Sequence, residues 1–222
     1  MLENNTSNQV STGGQTLIYD PMLRYDIEEC AQLAAQSFAD YEYFTIFFPD
    51  RERRLEFMRR AILSEYRTSF GRAHFLVARH EGVIVAVAQI FPPDYKKPSS
   101  WRYLTHGWLR VMALPDQKTI NAWQQMDTAA GAYCHAMMGG STWYLSSLTV
   151  SNAQRGKGIG SQMLKEAIIP HVRREGGSRL CLFTNSESNV RFYQRAGFHV
   201  VDERQFTHND QTIGSWSFVR KV

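Results

Sequence analysis

Apolar positions along the chain change their period several times, and each change marks a different element. From Arg24 to Phe38 the residues Ile27, Cys30, Ala31, Ala34 and Phe38 recur at three- and four-residue intervals, which predicts a helix with one buried face. A second helix is expected after Asp50, a good N-cap, with Leu55, Met58, Ile62 and Tyr66 on its inner stripe. Between the two lies an aromatic-dense connector, Tyr41, Tyr43, Phe44, Ile46, Phe47, Phe48 and Pro49. The pattern then becomes β-rich: Ala73 to Arg79 and Val83 to Phe91 read as antiparallel strands around the turn His80-Glu81-Gly82.

After Pro92-Pro93 come Trp101 and Trp108, then Trp123, Met126, Ala130, Tyr133, Cys134 and Met137 at helical spacing, closed by Gly139-Gly140. Trp143 to Val150 is an apolar run followed by a glycine-rich turn, Ser151 to Gly160, and an amphipathic helix with Met163, Leu164, Ala167, Ile168 and Val172 inside. Pro170 is expected to kink that helix, because proline removes a backbone donor, and Gly176-Gly177 to end it. Arg179 to Phe183 reads as a short strand, and Ser186 can cap a helix reaching Ala196. A strand is expected from Gly197 to about Val201, and a last pair near Gln205 and Ile213 to Val219, around His208-Asn209-Asp210.

Composition narrows the class. With 222 residues, 43% hydrophobic and 21% charged, the chain can bury a sizeable core. Residues 1–15 are too polar to offset the entropy of ordering and read as a flexible tail, and no repeat or linker divides residues 16–222, so one domain is expected there. Cys30, Cys134 and Cys181 are odd in number and far apart, which argues against a disulfide framework or a metal site. The N-terminus lacks the apolar core of a secretory signal, and the longest uncharged apolar stretch, Gly82 to Pro93, is too short to span a membrane. A cytoplasmic location with no membrane partner is therefore expected. A net charge of +4 suits an anionic ligand, but it is not the clustered basic stripe of a nucleic-acid binder.

The strongest local signal is Gln154-Arg155-Gly156-Lys157-Gly158-Ile159-Gly160, between a predicted strand and a predicted helix. Glycines let a backbone approach a ligand closely, and the free amides of a helix start favour an anion such as phosphate. A P-loop is excluded, since Gly158 rather than Ser or Thr follows Lys157. A dinucleotide fingerprint fails at Ser161, where glycine or alanine is needed.

The run Tyr144 to Val150, the Gln154 to Gly160 turn and the stretch Asn185-Ser-Glu-Ser-Asn-Val-Arg-Phe-Tyr-Gln-Arg-Ala-Gly-Phe198 together resemble the acetyl-CoA-binding core of the GCN5-related N-acetyltransferases. Arg155-x-x-Gly158-x-Gly160 is similar to that family's pyrophosphate signature, and Phe192-Tyr193-x-x-x-Gly197-Phe198 to its later helix-to-strand motif. The resemblance covers about residues 143–201. The upstream pattern is also compatible with the subgroup of puromycin-type and other small-amine acetyltransferases.

That resemblance implies an α/β (α+β) fold: a mixed, mostly antiparallel sheet of six or seven strands flanked by helices, opening in a V between the strands that end near Val150 and Phe183. It implies acetyl-CoA as co-substrate and no metal. Pantetheine would lie along Leu148, Thr149 and Val150, and the pyrophosphate would rest on Arg155, Gly156, Lys157, Gly158, Ile159, Gly160 and Ser161. Asn185 and Asn189 would contact the cofactor, and Tyr193 would be the catalytic acid. Acetyl transfer to an amine requires a neutral amine, a stabilised oxyanion and a proton for the leaving thiolate. A phenol near pKa 10 lies close enough to a thiol near about 8.5 to exchange a proton with it.

A backbone amide between Leu145 and Val150 could meet the oxyanion, given a bulge or splayed edge there. Several relatives carry Glu or His just before the pantetheine-binding residues, where this chain has Ser146 and Ser147, so the base is sought among Glu42, His106, His135 and solvent. Tyr41, Tyr43 and Phe44 are expected to border the acceptor pocket. The expected function is acetylation of a primary amine on a small molecule, by a monomer or homodimer. Acetylation of a protein or peptide amine and a non-catalytic acyl-CoA sensor are the alternatives.

Overall fold

A computed structural model describes residues 8–12, 15–114 and 116–222, with backbone alone at 8–12 and 15. Two strands, β1 (Asn8–Thr12) and β2 (Gln15–Pro21), lead into α1 (Ile27–Phe38), the short helix α2 (Glu42–Phe47) and the long helix α3 (Arg51–Ser69). The expected inner face of α1 is buried at Ile27, Cys30, Ala31 and Ala34, with Leu33 and Ala35 beside them. Asp50 caps α3 as its side chain accepts from the Arg53 amide at 2.7 Å. The hairpin of β3 (His74–His80) and β4 (Val83–Phe91) turns at Glu81 and Gly82, both with positive φ, the geometry that fits a strand twist.

Three helices follow: α4 (Ser100–Thr105), α5 (Trp108–Met112) and α6 (Gln117–Met137). Strand β5 (Thr142–Val150) leads through the glycine turn to α7 (Ile159–Gln162), which runs without a break through a π segment, Met163–Ile168, into α8 (Ile169–Arg174). Pro170 therefore sits inside a continuous helical run. The wider turn ahead of it, in which the Ile169 amide reaches back to the Leu164 carbonyl, is the local accommodation such sites use. The chain ends with β6 (Arg179–Thr184), α9 (Glu187–Arg195), β7 (His199–His208) and β8 (Gln211–Lys221).

One sheet holds all eight strands, in the order β1-β2-β3-β4-β5-β6-β8-β7. Every neighbouring pair is antiparallel except β5 and β6. Seven strands match the expected mixed sheet. The eighth is β1, whose residues 8–12 fall in the segment read as a tail; they pair with β2 because an open strand edge offers backbone partners whatever the side chains are. Residues 1–7 of that segment lie outside the described residues. The strand expected to end near Val201 and the one near Gln205 are a single β7, carried across the interruption by a register shift between Val200 and Asp202.

Alternation along the central strands sends side chains to two cores. Leu76, Ala88, Ile90, Leu145 and Leu180 pack with Met163, Leu164, Ile168 and Val172 on one face, while Phe75, Val77 and Val87 pack with α1 and Tyr66 of α3 on the other. Burying a side chain of this size fully is worth about 1.5–3 kcal/mol, so the two layers hold the central strands rigidly and leave the sheet's one discontinuity as a fixed feature.

Candidate active site

That discontinuity lies between β5 and β6. Their parallel pairing runs from Thr142 and Arg179 only as far as Tyr144 and Cys181, after which both strands continue unpaired with each other. The edge of β5 from Leu145 onward thus has no strand partner on its β6 side. On its other side β5 pairs with β4, and the register jumps there: Gln89 faces Ser147 but Ile90 faces Leu145, so Ser146 is the extra residue of a bulge. Both the splay and the bulge expected from the sequence are present.

Into this opening faces a cleft of about 600 Å³, within the range that holds a cofactor-sized ligand. Its lining includes Leu148, Thr149 and Val150 of β5, Arg155, Gly156, Gly158, Ile159, Gly160 and Ser161 of the glycine turn, and Asn189 and Tyr193 of α9. The opposite wall is the end of α1 and the connector, with Ser37, Phe38, Asp40, Tyr41 and Glu42. Of the residues expected at the cofactor, Lys157 and Asn185 are not on the lining. The Lys157 ammonium donates to Gln154 at 2.8 Å, and the Asn185 side chain donates to the Gly214 carbonyl at 3.0 Å, tying β6 to β8. Ser186, Ser188 and Phe192 line the cleft without having been singled out.

Gly156 and Gly158 have φ of 78° and 80°, a region costly for any residue with a Cβ, and a Cβ built at either would meet nothing within 4 Å. Their backbone faces open space. At Gly160 a Cβ would rest in ordinary contact with Phe192 at 3.4 Å and Val150 at 3.6 Å, so α7 packs directly on β5 and α9 there. The first amides of a helix have no intrahelical acceptor, so this start is a ready anion cradle. Arg155 stands across it, donating to the Ser37 carbonyl at 2.6 Å and hydroxyl at 2.9 Å, and so fixes the glycine turn to the end of α1. A free strand edge, open glycine backbone and a long cleft all fit a phosphorylated, extended, amide-containing group.

The connector is held by Arg54, which is 5% exposed. It donates to the Ala39 carbonyl, to the Phe48 carbonyl at 2.5 Å and to the Pro49 carbonyl at 3.0 Å, satisfying the chain ends that flank α2. Tyr41 is thereby placed at the cleft floor. Its hydroxyl accepts from the Asn185 amide at 2.7 Å and lies 2.9 Å from the Thr184 hydroxyl, which in turn accepts from the Asn189 side-chain amide at 3.1 Å. Tyr193 is buried, its ring packed edge-on against Phe192 and Phe198, and burial pushes its phenol above the ordinary range, with a further rise from Tyr41.

Tyr43 and Phe44 do not line the cleft. Tyr43 is buried and packs with Phe44 and Phe47 in the aromatic core beneath α2, because its phase on that short helix points inward. Among the candidate bases, Glu42 lines the cleft. His106 instead borders a separate cavity with Arg24, Arg67 and Arg102, its Nδ1 2.7 Å from the Arg102 carbonyl. His135 is exposed, its ring edge-on to Tyr144, and the protein packed around it pushes its pKa down, as does Lys97.

Two carboxylates that the sequence did not single out lie near the bulge and the connector. Glu65 of α3 accepts from Tyr103 at 2.7 Å, from Gln89 at 3.1 Å and from Ser69. Gln89 is the residue that faces Ser147 beside the bulge. Asp127 of α6 is exposed, and its carboxylate lies 3.5 Å from the Tyr43 hydroxyl. The protein packed around it pushes its carboxyl up to about 6, against the pull of Lys97 and Tyr43, and the charge of Glu65 adds to the rise. Burial pushes the phenol of Tyr144, the last β5 residue paired with β6, well above its ordinary range, and the charges of Cys134, Asp127, Cys181 and Tyr193 add to the rise.

A mixed sheet split between two parallel neighbours, with a glycine-rich helix start at the mouth of the split, is the acyl-CoA N-acyltransferase fold. Residues 37–198 match the model of the acetyltransferase (GNAT) family, and the chain belongs to that family, which uses acetyl-CoA. Among solved structures it is similar to the histone acetyltransferase HPA2 and related acetyltransferase of Corynebacterium glutamicum, at 19% identity and a TM-score of 0.60, covering 90% of this chain and 93% of that one. It is also similar to yncA of Salmonella typhimurium, solved with its cofactor acetyl-CoA, at 16% identity and a TM-score of 0.54, covering 92% and 93%. The ribosomal-protein-alanine N-acetyltransferase of Brucella melitensis aligns at 15% identity and a TM-score of 0.54, covering 92% and 99%. At these identities the likeness is one of fold. No curated protein matches the chain by sequence. Among the described residues no group of acidic, histidine or cysteine side chains could hold a metal ion, and no helix is long and apolar enough to cross a membrane.

Proposed function

We propose that the chain acts as one domain that acetylates a primary amine on a small molecule, with both substrates bound at once on opposite sides of the β5 bulge. The observation that supports this reading is the open backbone edge and glycine turn at the split, with Glu65 held by Tyr103 and by Gln89, the residue that faces Ser147 beside the bulge. Bound acetyl-CoA supplies an activated acetyl thioester. The chain's own part is to hold the pantetheine along Leu148, Thr149 and Val150 and to meet the pyrophosphate with the amides from Arg155 to Ser161.

At the acceptor, Glu65 keeps its three donors and presents a charge fixed in place, which orients an incoming ammonium. Asp127, poised near 6, is ionised at neutral pH and takes the ammonium proton. Lowering an alkylammonium from about 10.4 is helped by the same packing, which disfavours the charged amine. The bulge at Ser146 frees a backbone amide for the developing oxyanion, and a cleft phenol returns a proton to the leaving thiolate. The aromatic cluster that α2 shares with α3 and α6 flanks this side, and its apolar surface suits the body of a compact amine. The three cysteines are buried and free, in keeping with a reducing cytoplasm.

The test is thiol release from acetyl-CoA across a panel of aliphatic amines, aminoglycosides and peptide N-termini. Acceleration by small cationic amines, lost in Asp127→Asn, is expected. Acceleration by peptides alone would overturn the small-molecule assignment, and binding of acetyl-CoA without release to any amine would favour a sensor.

A further inference from the structure

Away from the β5–β6 split lies a second cavity, of about 220 Å³, whose charged lining is mostly of one sign. Arg24 reaches it from the single helical turn ahead of α1, Arg67 from α3 and Arg102 from α4, so three guanidiniums border one space from three elements. Glu28 is the one carboxylate on the lining. It accepts from Arg67 Nη2 at 2.6 Å and offsets one of the three charges. Two positive charges are left over. Ile27 and Glu28 open α1, so the positive end of that helix dipole lies at the same wall.

Most of the donors there are unspent, since a guanidinium carries five N–H groups. Arg102 spends its Nε on the Thr68 carbonyl at 2.9 Å, and Arg24 makes no side-chain hydrogen bond or ion pair among the described residues. His106 is turned by its Nδ1, which donates to the Arg102 carbonyl at 2.7 Å. Beside these groups the lining is apolar, with Ile27 buried and Phe70 half-buried.

We propose that this cavity binds a phosphate monoester with a short apolar body. A tetrahedral dianion offers an oxygen to each of three guanidiniums, whereas a planar carboxylate offers only two. Its charge balances what Glu28 leaves, and the body lies over Ile27 and Phe70. None of these residues lines the cleft at the split, so the proposal stands apart from the acetyltransfer reading.

The test is calorimetric titration of the full chain with phenyl phosphate, inorganic phosphate, succinate and chloride, with and without saturating acetyl-CoA. Phenyl phosphate is expected to bind one-to-one, more tightly than the other three, and equally well beside acetyl-CoA. Arg24→Ala should weaken it by about 10- to 100-fold, the equivalent of one lost charged hydrogen bond, and leave acetyl-CoA affinity unchanged. Glu28→Gln should tighten it by about 2- to 5-fold, because it releases Arg67 from an exposed ion pair, a gain that a purely structural role would not give. Both positions are exposed, so both variants should fold. Absence of binding, chloride or succinate binding as tightly as phenyl phosphate, displacement by acetyl-CoA, or unchanged affinity in the two variants would each overturn the assignment.

Discussion

The two sides of the β5 bulge are built from different material. The cofactor side is largely backbone: an unpaired strand edge, two glycines with positive φ and the start of α7. The proposed acceptor side is side chains drawn from distant positions: Tyr41, Glu65, Gln89 and Tyr103, held by hydrogen bonds to partners from other elements, and Asp127 beside Tyr43. Backbone recognition needs consecutive residues that leave room, so it writes a short motif. Recognition by side chains needs only convergence in space and writes none.

The sharpest way to break this division is Asp127→Asn, expected to lower kcat by about 10²- to 10³-fold while acetyl-CoA affinity stays unchanged. A change in cofactor affinity with kcat retained would erase the distinction. Gly158→Val should do the reverse. A β-branched residue at φ 80° costs about 1–2 kcal/mol, so acetyl-CoA affinity should fall about 5- to 30-fold while kcat at saturation holds.

Arg54→Met tests whether the connector depends on its buried anchor. Losing charged hydrogen bonds to the Phe48 and Pro49 carbonyls should cost about 1.5–3 kcal/mol and lower the melting temperature by about 3–10 °C, with KM for the amine rising more than KM for acetyl-CoA. The smallest effect is a pH dependence of stability. Because the folded state raises the Asp127 carboxyl from 3.8 to about 6, it binds more protons than the unfolded state between those values, so stability falls as pH rises through that window and is level above it. Asp127→Asn should remove that slope and melt a few degrees higher than wild type at pH 7 but not below pH 4, as followed by thermal denaturation.

How much of this was legible in the sequence follows the same division. The strand, glycine turn and helix from Trp143 to Val172 were readable because period and motif coincide there, and the splay after Tyr144 followed from the resemblance they carry. Pro170 marked an irregular helix, and the irregularity is a wider turn upstream, Met163–Ile168, that accommodates the missing donor. The edge strand at 8–12 was hidden by polar composition, because an edge pairs through its backbone. Of the three connector aromatics, Tyr41 lines the cleft while Tyr43, 3.5 Å from Asp127, and Phe44 pack beneath α2, a difference that the connector's composition does not reveal.

Asp127 did leave a trace. Trp123, Asp127, Gly131 and His135 recur every four residues along α6, a line that runs beside its buried face of Ile120, Met126, Ala130 and Cys134. Gly131 lets α6 approach β6, since a Cβ there would meet the Phe183 ring at 3.1 Å. Glu65 left a weaker one, as a charge next to the inner-stripe residue Tyr66.

The central claim, that the split between β5 and β6 is an acetyl-CoA site, is tested most directly by thermal denaturation with and without the cofactor. Acetyl-CoA at about a hundred times its Kd should stabilise the fold by about 2.7 kcal/mol and raise the melting temperature by about 5–10 °C, with 3′-dephospho-CoA giving a smaller rise. No rise at millimolar acetyl-CoA would contradict the account.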